Sequence, residues 1–220
     1  MSMIRIKDYS LYLVITEEYA LGRDSLGIAR AAISGGIDIL QMREKDKPEE
    51  ELYRRGREFS GICKKNKVIF VVNDDPSLAQ GVGADGVHIG QSDLIKHSIK
   101  EIRGIIGKNR LIGLSTHSLE EFKQANTLYV DYISFGPIFP TRTKDYFIGT
   151  AEISNVLKIA SKPVVFIGGI NISNLDSLLQ EGVKNVALIR DILQAEDVLS
   201  RAKDFKDKLN NYKLRYSKKR

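Results

Sequence analysis

Two acidic residues follow short apolar runs that come one after the other along the chain. The run VIFVV (68–72) leads into Asp74, and the next run, GVHIG (86–90), leads into Asp93. If both runs are neighbouring parallel strands, they lie about 4.8 Å apart, and the two carboxylates converge at one edge of a sheet. Two acids at that distance repel unless a cation lies between them, and oxygen ligands without His or Cys suit Mg2+. We therefore predict that Asp74 and Asp93 bind Mg2+.

The stretch QMREK (41–45) places basic side chains inside an apolar context. Side chains alternate across a strand, so Gln41, Arg43 and Lys45 should share one face, while Met42 and Glu44 share the other. A buried strand tolerates an arginine and a lysine poorly unless anions meet them, and this pair suits a diphosphate. The alternative is a ring of ion pairs that only supports the barrel, with Glu44 or the two aspartates as partners.

The elements that must position these residues alternate in a regular way. Eight β-rich apolar runs are separated by helix-period stretches such as SLGIARAAISG and SLEEFKQA. This pattern predicts an α/β fold with parallel pairing, and eight units in about 200 residues match a single-domain (β/α)8 TIM barrel. An open doubly wound sheet is the alternative. The predicted strands are 11–16, 38–42, 68–72, 86–90, 111–115, 131–135, 163–168 and 185–189.

In a barrel, function collects at the carboxyl ends of the strands, so later segments belong to the same mouth. Ser115, at the end of the fifth run, can point a hydroxyl there. The segment GPIFPTRTKDYFIGT after the sixth run offers Thr141, Thr143 and Lys144, and its length is typical either of a plain loop or of an active-site lid.

A second anion site is predicted after the last two strands. Gly168 and Gly169 permit close backbone approach, and Ile189 and Arg190 cross the end of the eighth run. The loops after strands seven and eight often hold a phosphate in this fold, together with a helix N-terminus. A diphosphate site and a phosphate site at one mouth indicate an enzyme that joins two phosphorylated molecules, with diphosphate as the leaving group.

Composition places the chain among globular proteins without a membrane role. The 220 residues are 42% hydrophobic and 28% charged, no apolar run reaches the length of a membrane span, and the start lacks a secretory pattern. The net charge of +6 is concentrated in residues 201–220, which hold nine Lys or Arg and two Asp. We predict a barrel over 1–200 and a basic helical tail over 201–220 that frays in solvent, so nucleic acid is not an expected partner.

The remaining candidate reactive side chains have plainer interpretations. Cys63 falls in a helical pattern and is predicted to pack in the core, and a single cysteine leaves the cytoplasm as the default location. His88 is interpreted as a packed strand residue and His117 as a surface or capping residue, while His97 is assigned no role.

Together, QMREK, NDDPSLAQGVGADGVHIGQSDL, GLSTHS, DYISFGPIFPTRTK and FIGGI resemble the thiamine-phosphate synthase family, in order and over roughly residues 11 to 195. The resemblance implies a (β/α)8 barrel that couples hydroxymethylpyrimidine diphosphate to a thiazole phosphate and releases diphosphate. It also implies Mg2+ at Asp74 and Asp93, small-molecule substrates and no membrane; a homo-oligomer is left open.

The resemblance also implies a role for each matching position. The residues expected to hold the pyrimidine diphosphate are Gln41, Met42, Arg43, Glu44, Lys45, Asn73, Ser115 and Lys144. Those expected to hold the thiazole phosphate are Thr141, Arg142, Thr143, Gly168, Gly169, Ile189 and Arg190. The catalytic roles are assigned to Arg43, Lys45, Ser115 and Lys144, with the cations neutralising charge on the departing diphosphate.

Three positions depart from the family pattern, and three other functions compete with the synthase. Asp75 stands where an arginine is usual, Ser134 where a glycine is usual, and Ile189-Arg190 where valine–serine or a similar pair is usual. The alternatives are a thiazole tautomerase on a similar barrel, a non-catalytic sensor of a phosphorylated ligand, and a nucleic-acid binder that uses the basic tail. Arg43, Lys45 and the two aspartates favour the synthase over the tautomerase.

Overall fold

The computed structural model describes residues 4–44, 47–142 and 144–217 of the chain. Within these ranges, eight parallel strands are hydrogen-bonded in chain order, and the last pairs with the first to close a barrel. The closure confirms the (β/α)8 prediction over the open sheet. The strands are β1 (Leu11–Ile15), β2 (Ile39–Met42), β3 (Ile69–Asn73), β4 (Gly86–Ile89), β5 (Leu111–Thr116), β6 (Tyr132–Phe135), β7 (Val164–Ile167) and β8 (Asn185–Leu188).

A helix follows each strand and packs on the outside of the barrel. Apolar residues spaced three and four apart give each longer helix one buried stripe. The helices are α1 (Ser25–Ser34), α2 (Glu49–Asn66), α3 (Pro76–Gly81), α4 (Ile99–Ile106), α5 (Leu119–Thr127), α6 (Ile153–Ile159), α7 (Leu175–Gln180), α8 (Arg190–Leu193) and α9 (Val198–Ser217). Short 3-10 segments cover Glu17–Tyr19 and Gln91–Ile95.

Side-chain caps fix where several helices begin. Asp24 accepts hydrogen bonds from two backbone N–H groups at the start of α1. Ser118 accepts one from the N–H of Glu121, as the spacing of these two residues predicts for α5. At α4, Ser98 and Glu101 form a reciprocal capping box. These caps lie on the side of the barrel where the strands end, because each helix begins there.

The hydrophobic core has two layers, separated by the sheet. The larger layer lies between the strands and the helices and includes Phe59, Phe122 and Phe205. The smaller layer fills the inside of the barrel and includes Tyr12 and Tyr132, both with exposed fractions of 2% or less. Because both faces of every strand are covered, the strands are apolar in nearly continuous runs.

Four polar residues repeat around the end of the barrel where the strands begin. Asp38, Asp85, Asp131 and Asn185 stand at the starts of β2, β4, β6 and β8. Each accepts a hydrogen bond from a backbone N–H at the start of a neighbouring strand, at 2.7, 2.9, 2.7 and 3.0 Å respectively. The ring satisfies strand-end donors that a closed barrel would otherwise bury without partners.

Helix α9 differs from the solvated, fraying end that the charge pattern predicted. The predicted division at residue 200 falls inside this helix, which packs along α1. Ala202, Phe205 and Leu209 are fully buried, and Lys206 donates to the Asp38 carboxylate at 2.7 Å. The charge count did not predict this packing, because lysines and arginines occupy one face of a helix whose other face is apolar.

Candidate active site

A cavity of about 720 Å3 opens at the end of the barrel where the strands end. Its floor is the inside of the barrel, and its walls are the loops that follow β6, β7 and β8. Among the predicted site residues, those that line it are Gln41, Arg43, Asn73, Ser115, Thr141, Arg142, Lys144, Gly168, Gly169, Ile189 and Arg190. The structure therefore brings together residues that are almost 150 positions apart in the chain.

The side chains of β2 and of the residues after it point to two different faces, as the alternation predicts. Gln41 and Arg43 line the cavity. Met42 and Glu44, which the resemblance placed with the substrate, are not brought there. Met42 is buried in the outer core, and the Glu44 carboxylate accepts hydrogen bonds from the N–H of Glu17 at 3.0 and 3.2 Å. Lys45 lies outside the described residues.

Arg43 is held at the cavity without a full set of partners. Its Nη1 atom is buried and has no hydrogen-bond partner among the described residues. A cluster of ion pairs does exist nearby, at the start of α2, but it is built from Glu17, Lys47, Glu51 and Arg55. These ion pairs do not include Arg43, and the charge of Arg43 acts on Asp74. A buried guanidinium nitrogen that lacks an acceptor is the complement of an anionic ligand.

Asp74 and Asp93 converge beside the cavity, over the backbone of Gly90. A Cβ atom built on Gly90 would lie 3.1 Å from Asp93 Oδ2 and 3.9 Å from Asp74 Oδ1. Asp74 takes a left-handed conformation, with φ of 62°, as its N–H donates to the carbonyl of His88 at 2.8 Å. Aspartate tolerates this region better than most residues. The turn directs the Asp74 carboxylate back toward the segment that carries Asp93.

The electrostatics of this pair fit a cation. The pKa of Asp74 is raised, first by burial and then by the negative charge of Asp93, while a hydrogen bond from Asn73 and the charge of Arg43 oppose the rise. The described residues contain no cluster of three or more His, Cys, Asp or Glu side chains arranged around one point. Two carboxylates that leave the other positions to water and substrate oxygens are typical of Mg2+. The donor set therefore fits this ion.

The loop after β6 folds over one side of the cavity. Thr141 and Lys144 pair across it as an isolated antiparallel bridge, and the Lys144 ammonium lies 5.8 Å from the ring centre of Tyr146. Tyr146 in turn meets the His117 ring edge-on at 6.1 Å. Thr143 lies outside the described residues. These contacts place a cation at the rim, opposite the side that holds Arg43.

The loop after β7 approaches the loop after β6 so closely that only glycine fits. A Cβ on Gly168 would lie 2.3 Å from Pro137 Cβ, and one on Gly169 would lie 2.5 Å from the carbonyl oxygen of Pro140. Both glycines also have positive φ, 99° and 64°. The backbone of this corner is thus exposed to the cavity without side chains, as a site for a bulky anionic group requires.

Arg190, the first residue of α8, closes the same corner. Its guanidinium lies 4.0 Å above the ring of Tyr19 and donates to Thr141 Oγ1 at 3.5 Å. The stacked ring fixes the side chain along the wall. Arg190 therefore adds positive charge to the corner formed by Gly168 and Gly169.

Four further polar residues line the cavity or its floor although the sequence assigned them no ligand contact. Tyr12, His88, His117 and Ser134 all line the cavity. His88 is buried, as predicted, and its ring nitrogens contact Tyr132 Oη at 3.0 Å and Ser115 Oγ at 2.9 Å. His117 donates from Nδ1 to the carbonyl of Gly136 at 2.6 Å. For the three that lie on strands, the signal in the sequence is a polar residue at the inward position of an otherwise apolar strand; His117 follows β5 directly.

Asp75 and Ser134, two of the three departures from the family pattern, have local structural explanations. Asp75 caps α3 and accepts a hydrogen bond from the N–H of Leu78 at 2.8 Å. Its charge is thereby engaged at a helix start. Ser134 Oγ lies 3.4 Å from His88 Nε2 and 3.5 Å from Ser115 Oγ, so its hydroxyl joins the polar floor of the cavity.

Comparison with known proteins agrees with this geometry. A family model described as thiamine monophosphate synthase matches residues 11–192. The chain belongs to this family. The thiamine-phosphate synthase of Persephonella marina is 38% identical over 207 residues, which cover 93% of this chain and 98% of that protein. That of a Hydrogenobaculum species is 40% identical over 206 residues, covering 93% and 95%.

Solved structures extend the agreement to three dimensions. A thiamine phosphate pyrophosphorylase from Pyrococcus furiosus superposes with a TM-score of 0.84 at 31% identity, covering 93% of this chain and 96% of that one. KGPDC from Streptococcus mutans superposes with a TM-score of 0.65 at only 14% identity, so that likeness concerns the fold alone. Among the described residues, no helix is long and apolar enough to span a bilayer.

Proposed function

We propose that this barrel condenses 4-amino-2-methyl-5-(diphosphooxymethyl)pyrimidine with a thiazole phosphate to give thiamine phosphate and diphosphate. The observation that carries the proposal is the pairing of an unsatisfied buried cation with two crowded carboxylates. Arg43 Nη1 lacks a partner among the described residues, and the Asp74 carboxyl has a pKa raised by burial and by Asp93. A diphosphate held together with a divalent cation satisfies both at once.

In this proposal the diphosphate lies between Arg43 and the two aspartates, and the pyrimidine ring extends into the barrel. Gln41 and Ser115 line that deeper part of the cavity, and Asn73 stands beside Asp74. Lys144 reaches the same group from the rim. Lys45, assigned to the diphosphate by the family resemblance, completes this set in the proposal.

The proposed second anion site is the corner formed by the loops after β6, β7 and β8. Gly168 and Gly169 expose backbone there, and Arg190 and Thr141 supply side-chain donors. Exposed N–H groups and a guanidinium suit a phosphate monoester. Arg142, Thr143 and the backbone of Ile189 are assigned to this site on the family resemblance. The thiazole ring would then lie between the two anions, facing the pyrimidine.

The proposed reaction is a dissociative substitution at the pyrimidine methylene carbon. The bond from this carbon to the bridging oxygen breaks, and its electron pair leaves with the diphosphate. The lone pair of the thiazole nitrogen then forms the new C–N bond, and the positive charge resides on the thiazolium ring. Arg43 and Lys144 stabilise the charge that grows on the leaving diphosphate, which is where preorganised cations have their largest effect. No protein nucleophile takes part.

Mg2+ is part of the proposal, with Asp74 and Asp93 as its protein ligands. When bound, the ion supplies Lewis-acid neutralisation of the diphosphate oxygens. The two carboxylates must be ionised to hold it, which the mutual repulsion of Asp74 and Asp93 otherwise opposes. The cytoplasm stays the predicted location, and assembly into a homo-oligomer is left open.

The test is diphosphate release by the purified protein with both substrates and Mg2+, with and without EDTA. We expect release that requires both substrates and stops when EDTA is present. A phosphorylated-ligand sensor would bind the thiazole phosphate in a calorimeter without releasing diphosphate. A tautomerase would convert the thiazole carboxylate without the pyrimidine substrate. Either of these results would overturn the proposed function.

A further inference from the structure

A chain of hydrogen-bonded side chains crosses the inside of the barrel below the cavity. It joins five residues on five different strands, and all of them except the half-buried Ser115 are buried. Its contacts are Gln41 Nε2 to Tyr12 Oη at 2.6 Å, Tyr12 Oη to Tyr132 Oη at 2.9 Å, Tyr132 Oη to His88 Nδ1 at 3.0 Å, and His88 Nε2 to Ser115 Oγ at 2.9 Å. Gln41 and Ser115, its two ends, line the cavity.

The barrel makes room for this chain at one glycine. A Cβ atom on Gly113 would lie 2.1 Å from Tyr132 Cζ and 2.5 Å from His88 Nδ1. The Tyr132 ring stacks on the His88 ring, with centres 5.4 Å apart, in the space that the missing side chain leaves. Any larger residue at position 113 would displace the two rings whose contact joins the halves of the chain.

Burial favours the neutral form of every titratable member of the chain. Burial raises the pKa of Tyr12 and of Tyr132 above the usual range for a phenol. Burial, with a smaller contribution from the charge of His117, lowers the pKa of His88 to about 4. Each tyrosine therefore has one proton to donate, and the imidazole has one N–H and one acceptor nitrogen.

These single protons give the chain a direction. Where Gln41 donates from Nε2 to Tyr12, the Tyr12 hydroxyl sends its own proton to Tyr132. Tyr132 then donates to His88 Nδ1, which leaves the imidazole proton on Nε2. That N–H donates to Ser115 Oγ. The opposite direction would require Gln41 to present its carbonyl oxygen to Tyr12.

At the far end, the acceptor capacity of Ser115 is already used. Its oxygen accepts from His88 Nε2 and, at 3.5 Å, from the hydroxyl of Ser134. We infer that the chain holds His88 in its Nε2–H tautomer and thereby commits the Ser115 hydroxyl to donate into the cavity, with Tyr12 and Tyr132 as positioning residues. At the near end, the Gln41 carbonyl oxygen accepts no hydrogen bond from the described residues and stays available as an acceptor.

This pattern deepens the proposed function and rests on it. A 4-aminopyrimidine has ring nitrogens that only accept and an amino group that donates. The donor at Ser115 suits a ring nitrogen, and the acceptor at Gln41 suits the amino group. The chain would thus fix which groups of the cavity donate and which accept before the substrate arrives, which is the benefit of preorganisation.

The first test needs no variant and no substrate. Long-range proton–nitrogen correlation spectra of protein labelled with 15N-histidine distinguish a protonated from an unprotonated ring nitrogen. The signal of His88 is identified by its loss in His88→Gln, since only two other histidines are present. We expect a neutral ring with the proton on Nε2 from pH 6 to 8. A proton on Nδ1, or an even mixture of tautomers, would overturn the inference.

The second test removes one link of the chain. Tyr132→Phe keeps the stacked ring but loses the donor to His88 Nδ1, so the two tautomers should become mixed. We expect kcat to fall about tenfold, as for one hydrogen bond, with KM for the thiazole phosphate unchanged. The matched control is Thr116→Val, which removes a buried hydroxyl that donates to the carbonyl of Ser134 at 2.8 Å and is not itself a link of the chain. The control should retain both the tautomer and kcat.

The outcomes separate this inference from the proposed function. If wild-type protein shows the Nε2–H tautomer but releases no diphosphate, the function fails while the direction of the chain stands. If it releases diphosphate and Tyr132→Phe keeps a single Nε2–H tautomer, the chain does not set the tautomer and the inference fails. If Tyr132→Phe does not fold, Tyr12→Phe replaces it, because this variant removes the hydroxyl that donates to Tyr132. A single Nε2–H tautomer of His88 in Tyr12→Phe would then count against the inference.

Discussion

The two ends of the barrel use carboxylates in opposite ways. Where the strands begin, Asp38, Asp85 and Asp131 each accept a short hydrogen bond from a backbone N–H, and Asp38 and Asp131 also pair with a lysine or an arginine. Where the strands end, Asp74 and Asp93 face each other, and burial and their repulsion raise the pKa of Asp74. One end is satisfied within the protein. At the other, Asp93 pairs with the exposed Lys96 at 3.3 Å, and the crowded Asp74 carboxyl is left for a ligand to satisfy.

The difference shows how function can be read from unsatisfied groups. Buried polar atoms in folded proteins nearly always have partners, so an exception such as Arg43 Nη1 needs a reason. At the opposite end, the same residue types are fully engaged and need no ligand. Crowded or unpaired charge at one end only is therefore a better guide to the site than the number of charged residues.

Replacing one aspartate at each end of the barrel should give the largest contrast in turnover. In Asp74→Asn the ligand set loses a negative charge, and we expect turnover to fall about a thousandfold, because metal-assisted charge stabilisation contributes several kcal/mol. Thiazole phosphate binding should change little, since its proposed site is the corner at Gly168 and Gly169. Steady-state diphosphate release and calorimetric binding measure the two effects.

The matched control for that exchange is Asp85→Asn at the other end. This carboxylate accepts from the N–H of Phe70 at 2.9 Å, and asparagine keeps an oxygen at that place. Turnover per folded molecule should stay within about threefold, as is usual for a substitution away from the chemistry. Equal losses of turnover in the two variants would show that the two ends do not differ in function.

Arg43→Met should separate activity from stability. Removing the guanidinium takes away a cation proposed to act on the leaving group, and a loss of one such donor typically lowers kcat about a hundredfold. It also removes a buried donor that lacks a partner in the described structure, so the free energy of unfolding should stay the same or rise by about 1 kcal/mol. Urea unfolding monitored by circular dichroism gives the second quantity. A variant that is clearly less stable would mean that Arg43 supports the fold.

Asp131→Ala should lower the stability and leave the activity unchanged, which is the reverse of Arg43→Met. It leaves the N–H of Ile112 and the guanidinium of Arg103 without their shared acceptor, at 2.7 and 2.6 Å in the wild-type protein. We expect a loss of about 2 kcal/mol in the free energy of unfolding, with kcat unchanged. Asp8→Ala is the control, because among the described residues Asp8 forms an ion pair with the half-exposed Lys184 alone. Its loss should cost less than about 0.5 kcal/mol. Similar losses in both variants would argue against a special role for the ring.

Much of this arrangement could be predicted from sequence because it depends on local pattern. Alternating apolar runs and helix-period stretches predicted the barrel, and strand alternation correctly separated Gln41 and Arg43 from Met42 and Glu44. The family resemblance added Met42 and Glu44 to the site, and the structure places both away from the cavity. In this case the two-residue period of a strand was the better guide to side-chain direction.

What sequence could not supply was contact between distant strands. The link between Tyr12 and Tyr132 joins β1 to β6, and neither residue has a local pattern that distinguishes it from an apolar core residue. The space for Tyr132 depends on Gly113, nineteen positions earlier in the chain. The packing of Phe205 and Leu209 was missed for a similar reason, since their partners on α1 lie far away in sequence.

The smallest predicted effect tests whether every carboxylate at the catalytic end is functional. Glu101 lies at the start of α4, on that side of the barrel, yet its pKa is lowered by hydrogen bonds from the backbone and hydroxyl of Ser98. A carboxyl whose pKa is lowered on folding adds stability above its ordinary pKa, near 4.5, and loses it as pH falls through the folded value. Glu101→Gln should therefore lower Tm by only about 2 °C at pH 7.

That difference in Tm between wild type and Glu101→Gln should shrink as pH falls from 4.5 toward 3, because the wild-type carboxyl becomes protonated and neutral like the amide. Diphosphate release at pH 7 should be the same for both, since Glu101 is engaged in the capping box rather than with the cavity. Scanning calorimetry at several pH values measures the first expectation. A Tm difference that is constant with pH would show that the cap does not depend on charge, and a loss of turnover would place Glu101 with Asp74 and Asp93.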